Sequence, residues 1–176
     1  PTPRENSRDF LLALEQLIDS YDLSEISAIS AGFPGLVDKD TGFIHKLPNL
    51  KIENIPFKEI IEEKYKKKVF VRNDAELACL AEAYKGAGKM AKRVFYMVIS
   101  LGLGGALVVD NKIQDYVTEI GHTFFTYKDN KLYEYEWLAS GQGITNLARM
   151  NELFVEDAKE VFDLVNTQEP RAIKVY

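Results

Sequence analysis

The sequence predicts an α/β fold with mixed sheets, and three observations lead there. Helical apolar stripes alternate with short β-forming runs, Gly/Pro turns punctuate them, and two β-rich runs follow each other directly in the second half. "RDFLLALEQLIDSY" repeats apolar residues at Phe10, Leu14, Leu17 and Tyr21, with Leu11 and Ile18 beside them, the mark of one helix face. "EISAISAGFPG" reads as a short strand closed by a Gly/Pro turn. "VDKDTGFIHKLPNL" reads as turn and loop, with a tight reversal at Thr41-Gly42 and Pro48 excluding a central strand. In "NIPFKEIIEEKYKK", Asn54 is placed to cap a helix and Pro56 to occupy its first turn. "KVFVR" is a strand, and "DAELACLAEAYKGAG" a helix stopped by Gly86 and Gly88. Residues 94–100 and 106–109 are β-rich, joined by glycines and turned again at Asp110-Asn111. "LASGQGITNLARMNELF" and "VEDAKEVFDLVN" close the order as helices. The Gly86-Ala87-Gly88 linker divides an expected lobe of residues 1–86 from one of residues 87–176.

The 176 residues are 46% hydrophobic, enough for one core or two small lobes. A formal net charge of -5, with both signs interspersed, argues against nucleic-acid binding by this segment, which needs a basic face to release counterions. The dense cluster "KYKKK" closes a helix and reads as a solvated end that complements the helix dipole. Cys79 is the single cysteine, so no disulfide framework or cysteine zinc site can be written; this fits a reducing, cytoplasmic setting. No apolar run reaches membrane-spanning length and no signal peptide stands out. The chain starts at Pro1 and "RAIKVY" stops inside a helical pattern, so both ends read as cut.

Three groups of residues could carry chemistry. Asp74 lies where a strand gives way to a helix, the edge at which open α/β sheets collect ligands. Its carboxylate can cap the helix through backbone N–H groups or accept a proton from a substrate hydroxyl, and these roles compete for the same oxygens. "SLGLGGA" is a glycine-rich bend in which backbone N–H groups can approach phosphate, although it matches neither the dinucleotide fingerprint nor a Walker loop. A plain crowded hairpin is the alternative. "EIGH" sets Glu119 and His122 around a glycine; with His45 the only other histidine, no zinc-ligand spacing exists. Polyhydroxylated ligands suit such a group, because one carboxylate can accept from two vicinal hydroxyls while Asn and His both donate and accept.

In this order, "AISAGFPGLVD", "LPNL", "VRNDAELACLAEAYKGAG", "VFYMVISLGLGGALVVDNK", "EIGH" and "ASGQGI" resemble the ROK family of bacterial sugar kinases and sugar-responsive repressors. The resemblance runs over residues 26–149. It implies an actin-like (ribonuclease H-like) two-lobed fold, here incomplete at both ends, with a hexose in the cleft. It further implies that Asn73 and Asp74 bind the sugar, with Asp74 the base for the hydroxyl being phosphorylated. Glu119, His122 and Glu136 would hold other hydroxyls, and Gly102, Gly104 and Gly105 would form a phosphate loop for ATP with Mg²⁺. A homodimer is the family's usual state.

The chain departs from the family pattern at several points. Leu101 stands where a Thr is usual and Ala106 where a last Gly is usual. A lost side-chain donor to a charged phosphate would cost about 1–3 kcal/mol. The approach from Lys112 to Glu119 is short, and the three-cysteine zinc loop is absent, so His122 is not expected to hold zinc and something else must hold Glu136. The family's first phosphate loop, or a DNA-binding helix-turn-helix, would precede Pro1. The sequence therefore supports an ATP:hexose phosphotransferase first. A sugar-sensing regulator or pseudokinase comes second, and a non-binding structural piece third. Glucose, an N-acetylated hexosamine, fructose and allose all suit the polar set.

Overall fold

The structure is a computed structural model, and it describes residues 2–4, 6–115, 119–128 and 130–175. Pro1 and Tyr176, and with them part of what was read at the two ends, lie outside the described residues, as does 116–118 within the short approach to Glu119. The chain divides into two units, residues 1–77 and 78–176. The division falls inside a helix, earlier than the Gly86 linker on which the sequence placed it.

The first unit begins with α1 (Ser7–Asp19), capped by Asn6, whose side chain accepts from the Arg8 and Asp9 amides. Strand β1 (Ala28–Phe33) pairs in parallel with β5 (Lys68–Asn73), from Ala28 opposite Lys68 to Phe33 opposite Asn73. Between them the expected loop is instead a small antiparallel sheet of β2 (Leu36–Val37), β3 (Ile44–Leu47) and β4 (Ile52–Ile55). Its strands are too short for a clear alternation, yet Ile44, Leu47, Ile52 and Ile55 are all buried. Pro48 starts a 3-10 turn between β3 and β4, where its missing N–H costs no ladder bond. The expected reversal near Thr41-Gly42 is present, with Asp38 Oδ1 accepting from the Asp40 and Thr41 amides.

Helix α2 (Phe57–Tyr65) corrects a second expectation: Asn54 is a β4 residue at φ 58°, and Pro56 precedes the helix without a side-chain cap. The α2 face buries Phe57 and Ile61 with Phe10, Phe33, Val69 and Val71 in one core. Phe33 meets Phe57 edge-on at 4.9 Å. Lys64, from the basic run, reaches Glu15 of α1 at 2.8 Å rather than standing free in solvent.

Helix α3 (Asp74–Tyr84) follows β5 directly and crosses the division. In the second unit its Cys79 and Ala83 pack on Ala106 and Val108 of a three-stranded antiparallel sheet. That sheet is β6 (Arg93–Ile99), β7 (Leu103–Val109) and β8 (Lys112–Ile113). Asp110 and Asn111, at φ 48° and 63°, make the expected hairpin turn between β7 and β8. Burial pushes the Cys79 thiol up from its ordinary pKa, in keeping with a small core residue. A second hairpin, β9 (Phe124–Lys128) with β10 (Lys131–Glu134), precedes α4 (Tyr135–Ala139), α5 (Gly141–Met150), α6 (Ala158–Asn166) and α7 (Pro170–Val175). No helix among the described residues is long and apolar enough to cross a membrane.

The "GFPG" turn depends on its last residue. Gly35 sits at φ 137°, and a Cβ there would lie 2.4 Å from the Lys46 carbonyl oxygen. Gly35→Ala is expected to destabilise the first unit by at least about 1–3 kcal/mol, read as a lower urea midpoint by circular dichroism.

Candidate functional site

At the β5–α3 junction the two neighbouring polar residues divide the work. Asn73 ends β5, and its Oδ1 accepts from the Ala75 amide at 2.8 Å and the Glu76 amide at 3.3 Å. Its Nδ2 donates to the Gly35 carbonyl at 3.1 Å, tying the helix start to the Gly/Pro turn after β1. The cap expected as one role of Asp74 is thus made mainly by Asn73. Asp74 is exposed in the first turn, where one oxygen accepts from the Ala75 amide at 2.9 Å. Its other oxygen has no partner among the described residues. A carboxylate with one oxygen fixed and one open is oriented without being consumed.

The remaining site residues belong to the second unit. Glu119 takes a left-handed backbone, φ 54° and ψ 39°, and leads into a 3-10 turn over Ile120–His122. A non-glycine residue there stores strain, which is common where a side chain must be aimed. His122 Nδ1 lies 2.7 Å from Glu134 Oε2, and its Nε2 lies 3.7 Å from Glu119 Oε2. The hydrogen bond to Glu134 raises the His122 pKa above its usual value; burial opposes this, and the charges of Glu134, Glu136 and Glu119 add to it.

Glu136, in the first turn of α4, sends Oε2 to the Leu103 amide at 2.8 Å. Two glycines make room for it. A Cβ on Gly102 would stand 2.6 Å from Oε2, and one on Gly121 would stand 3.2 Å from Oε2 and 2.3 Å from the Leu103 carbonyl. Of the glycines expected to form a phosphate bend, only Gly102 lies in the bend. Gly104 and Gly105 lie within β7, opposite Val98 and Met97.

The bend is braced from behind, because the Gly141 and Gln142 amides at the start of α5 donate to the Ser100 and Leu101 carbonyls. With the Leu103 amide held by Glu136, the Leu101 and Gly102 amides remain as donors for an anion, having no acceptor among the described residues. The Leu101 side chain is 70% exposed at the tip and brings no hydroxyl. No group of three or more His, Cys, Asp or Glu among the described residues could hold a metal ion.

Structure thus brings Glu119, His122 and Glu136 together with Gly102 in the second unit, and Asn73 with Asp74 in the first. Glu134 is the residue that sequence reasoning missed. Its signal was the acidic, aromatic run "YEYEW", which carries two Glu two residues apart.

A family model described as the ROK family matches residues 1–176. The chain belongs to the ROK family. It is 39% identical over 103 residues to a glucokinase of Halalkalibacterium halodurans, covering 56% of this chain and 31% of that protein. It is 38% identical over 118 residues to the DNA-binding transcriptional dual regulator NagC of Escherichia coli, covering 64% of this chain and 29% of NagC. The ROK hexokinase from Thermus thermophilus superposes with a TM-score of 0.81 at 27% identity, covering 99% of this chain and 62% of that one. A ROK glucokinase from Streptomyces griseus, solved with glucose and AMPPNP, shares the fold at a TM-score of 0.75 and 21% identity, over 99% of this chain and 64% of its own. The mixed α/β architecture is that of ROK sugar kinases, the actin-like ATPase fold. The ROK chain spans less than a third of these two sequence relatives, one a kinase and one a regulator.

Two outcomes follow from this geometry. Asn73→Ala should cost about 0.5–2 kcal/mol through the lost cap, and Asp74→Asn less, measured by urea unfolding. Because the folded-state pKa of His122 is raised, its contribution to stability is fully present below the unfolded value of about 6.5 and lost as pH rises through the folded value. His122→Gln should flatten that part of a Tm-against-pH profile.

Proposed function

We propose that the protein phosphorylates a hexose or hexose derivative, with Asp74 as general base. The observation that carries this reading is the open oxygen of Asp74: the helix it begins is capped by Asn73, so the carboxylate remains available to a hydroxyl. Glu119, His122 and Glu136 would accept and donate to the other hydroxyls, with the remaining Nδ2 hydrogen of Asn73 helping at the reacting end. Asp74 would take the proton of the attacking hydroxyl, O6 in this reading, as that oxygen becomes nucleophilic.

Bound ATP with Mg²⁺ would supply the phosphoryl group. The Leu101 and Gly102 amides would be the donors open to a phosphate oxygen, and α5, bonded to the Ser100 and Leu101 carbonyls, braces the bend. Binding the sugar in a fixed pose converts the transfer into an effectively unimolecular event.

A sugar-sensing regulator without phosphotransfer is the second reading, and Leu101 favours it. An exposed apolar side chain at the tip replaces the hydroxyl that a phosphate would use. NagC among the relatives adds support to this alternative. A thermal-shift panel of hexoses, with and without Mg²⁺-ATP, separates the two, since a sensor responds to sugar with no nucleotide effect.

In the intact protein, Asp74→Asn is expected to lower kcat by about 10²–10⁴-fold while hexose affinity by calorimetry changes little. Undiminished turnover in that variant would remove Asp74 from the mechanism.

A further inference from the structure

We propose that Glu134 is the positioning residue of the candidate sugar site, holding the His122 ring by its Nδ1 so that Nε2 faces the hydroxyls; this rests on the hexose-binding reading above. Three features of the chain converge on the contact. The first is chemical. An ionised carboxylate only accepts, so a Glu134 Oε2 at 2.7 Å fixes the proton on His122 Nδ1 and leaves Nε2 as the exchangeable face. Nε2 is 3.7 Å from Glu119 Oε2, too far for a direct bond, so a hydroxyl seated beside both atoms can bond to each.

The second feature is backbone register. Leu132 pairs with Tyr127 and Tyr133 with Thr126, but the ladder then slips and Glu134 lies opposite Phe124 instead of Phe125. The extra β9 residue draws Glu134 one position closer to the His122 end of that strand, the kind of re-aiming that bulges perform. The Tyr135 amide donates to the Thr123 carbonyl at 3.1 Å and locks the shifted register.

The third is what Glu134 forgoes. It occupies the position before α4 from which a side chain could cap the helix, yet it makes no cap hydrogen bond. Its carboxylate goes to the imidazole instead.

Aromatic contacts brace the hairpin that carries it. Tyr133 meets Trp137 edge-on at 5.0 Å, and Phe125 lies 5.4 Å from Tyr135. Together these supply the rigidity a ring-orienting partner needs, in a segment that holds no cysteine. Among the described residues, the charged groups facing the imidazole are Glu119 before the 3-10 turn, Glu134 on β10 and Glu136 on α4, and of these Glu134 is the one in hydrogen-bond contact with it.

The test uses the intact protein with ¹⁵N-labelled histidine, as wild type, Glu134→Gln and Glu134→Asp. NMR reads the His122 tautomer and titration, and calorimetry reads binding of glucose and N-acetylglucosamine. Glu134→Gln should lose the fixed Nδ1–H tautomer, lower the His122 pKa and weaken the hexose that binds by about 2–10-fold, the worth of one misaligned hydrogen bond. Glu134→Asp, keeping the charge, should recover part of both. An unchanged tautomer and pKa in folded Glu134→Gln would overturn the proposal, as would unchanged affinity for a hexose that wild type binds. If wild type binds neither sugar, the hexose reading and the sugar-site role fall together, while the NMR arm separately decides whether Glu134 holds the ring.

Discussion

The hydrogen bond from the Leu103 amide to Glu136 joins three pieces of the second unit that are distant in sequence. It links the glycine bend before β7, the 3-10 turn at Gly121 and the first turn of α4. Removing side chains from Gly102 and Gly121 is what permits the carboxylate to come so close. Glycine costs backbone entropy, roughly 0.5–1 kcal/mol against alanine in regular structure, so two such positions facing one carboxylate mark a constraint on geometry. Glycines that the sequence invites one to read as a phosphate cradle therefore have a second use. They admit Glu136.

The first unit solves a related problem differently. A helix start needs acceptors for its free amides, and a carboxylate that is to meet a ligand, as proposed for Asp74, needs an oxygen that those amides have not taken. Placing Asn73 at the end of β5 satisfies the amides of Ala75 and Glu76, and its remaining donor reaches back to Gly35. Asp74 can then stand one residue later with an oxygen open. Neighbours that look redundant in sequence are complementary once the backbone is known.

This division explains how far the sequence could be read. The amphipathic α1, the β5–α3 junction and the Asp110-Asn111 turn were legible because periodicity and turn chemistry act locally. The sheet of β2, β3 and β4 was not, since strands of two to four residues carry no periodicity and Asn54 adopts φ 58° against its strand. The β9–β10 hairpin is illegible for a different reason: the family pattern expects cysteines there, and the run of aromatics and Glu that stands in their place has no counterpart in that pattern. Residue roles inherited from the resemblance named Glu119, His122 and Glu136, but only coordinates could reveal Glu134 beside the imidazole.

Electrostatics ties these observations to ligand chemistry. Three carboxylates surround one imidazole; the hydrogen bond to Glu134 is the main cause of the raised His122 pKa, and the charges of Glu134, Glu136 and Glu119 add to it, since a proton on the ring offsets part of their repulsion. Such a site offers many acceptors and few donors. Neutral sugar hydroxyls, each with a proton to give, match it; an anion does not. A phosphate, on the proposed reading, would have to be met by backbone donors outside the carboxylate cluster, and the Leu101 and Gly102 amides at the hairpin tip are of that kind. Glu136 stands at the border, its Oε2 on the Leu103 amide next to those donors. If the proposed sugar site is occupied, movement of that carboxylate would change the charge felt at the bend, and one side chain would then couple the proposed sugar and phosphate sites.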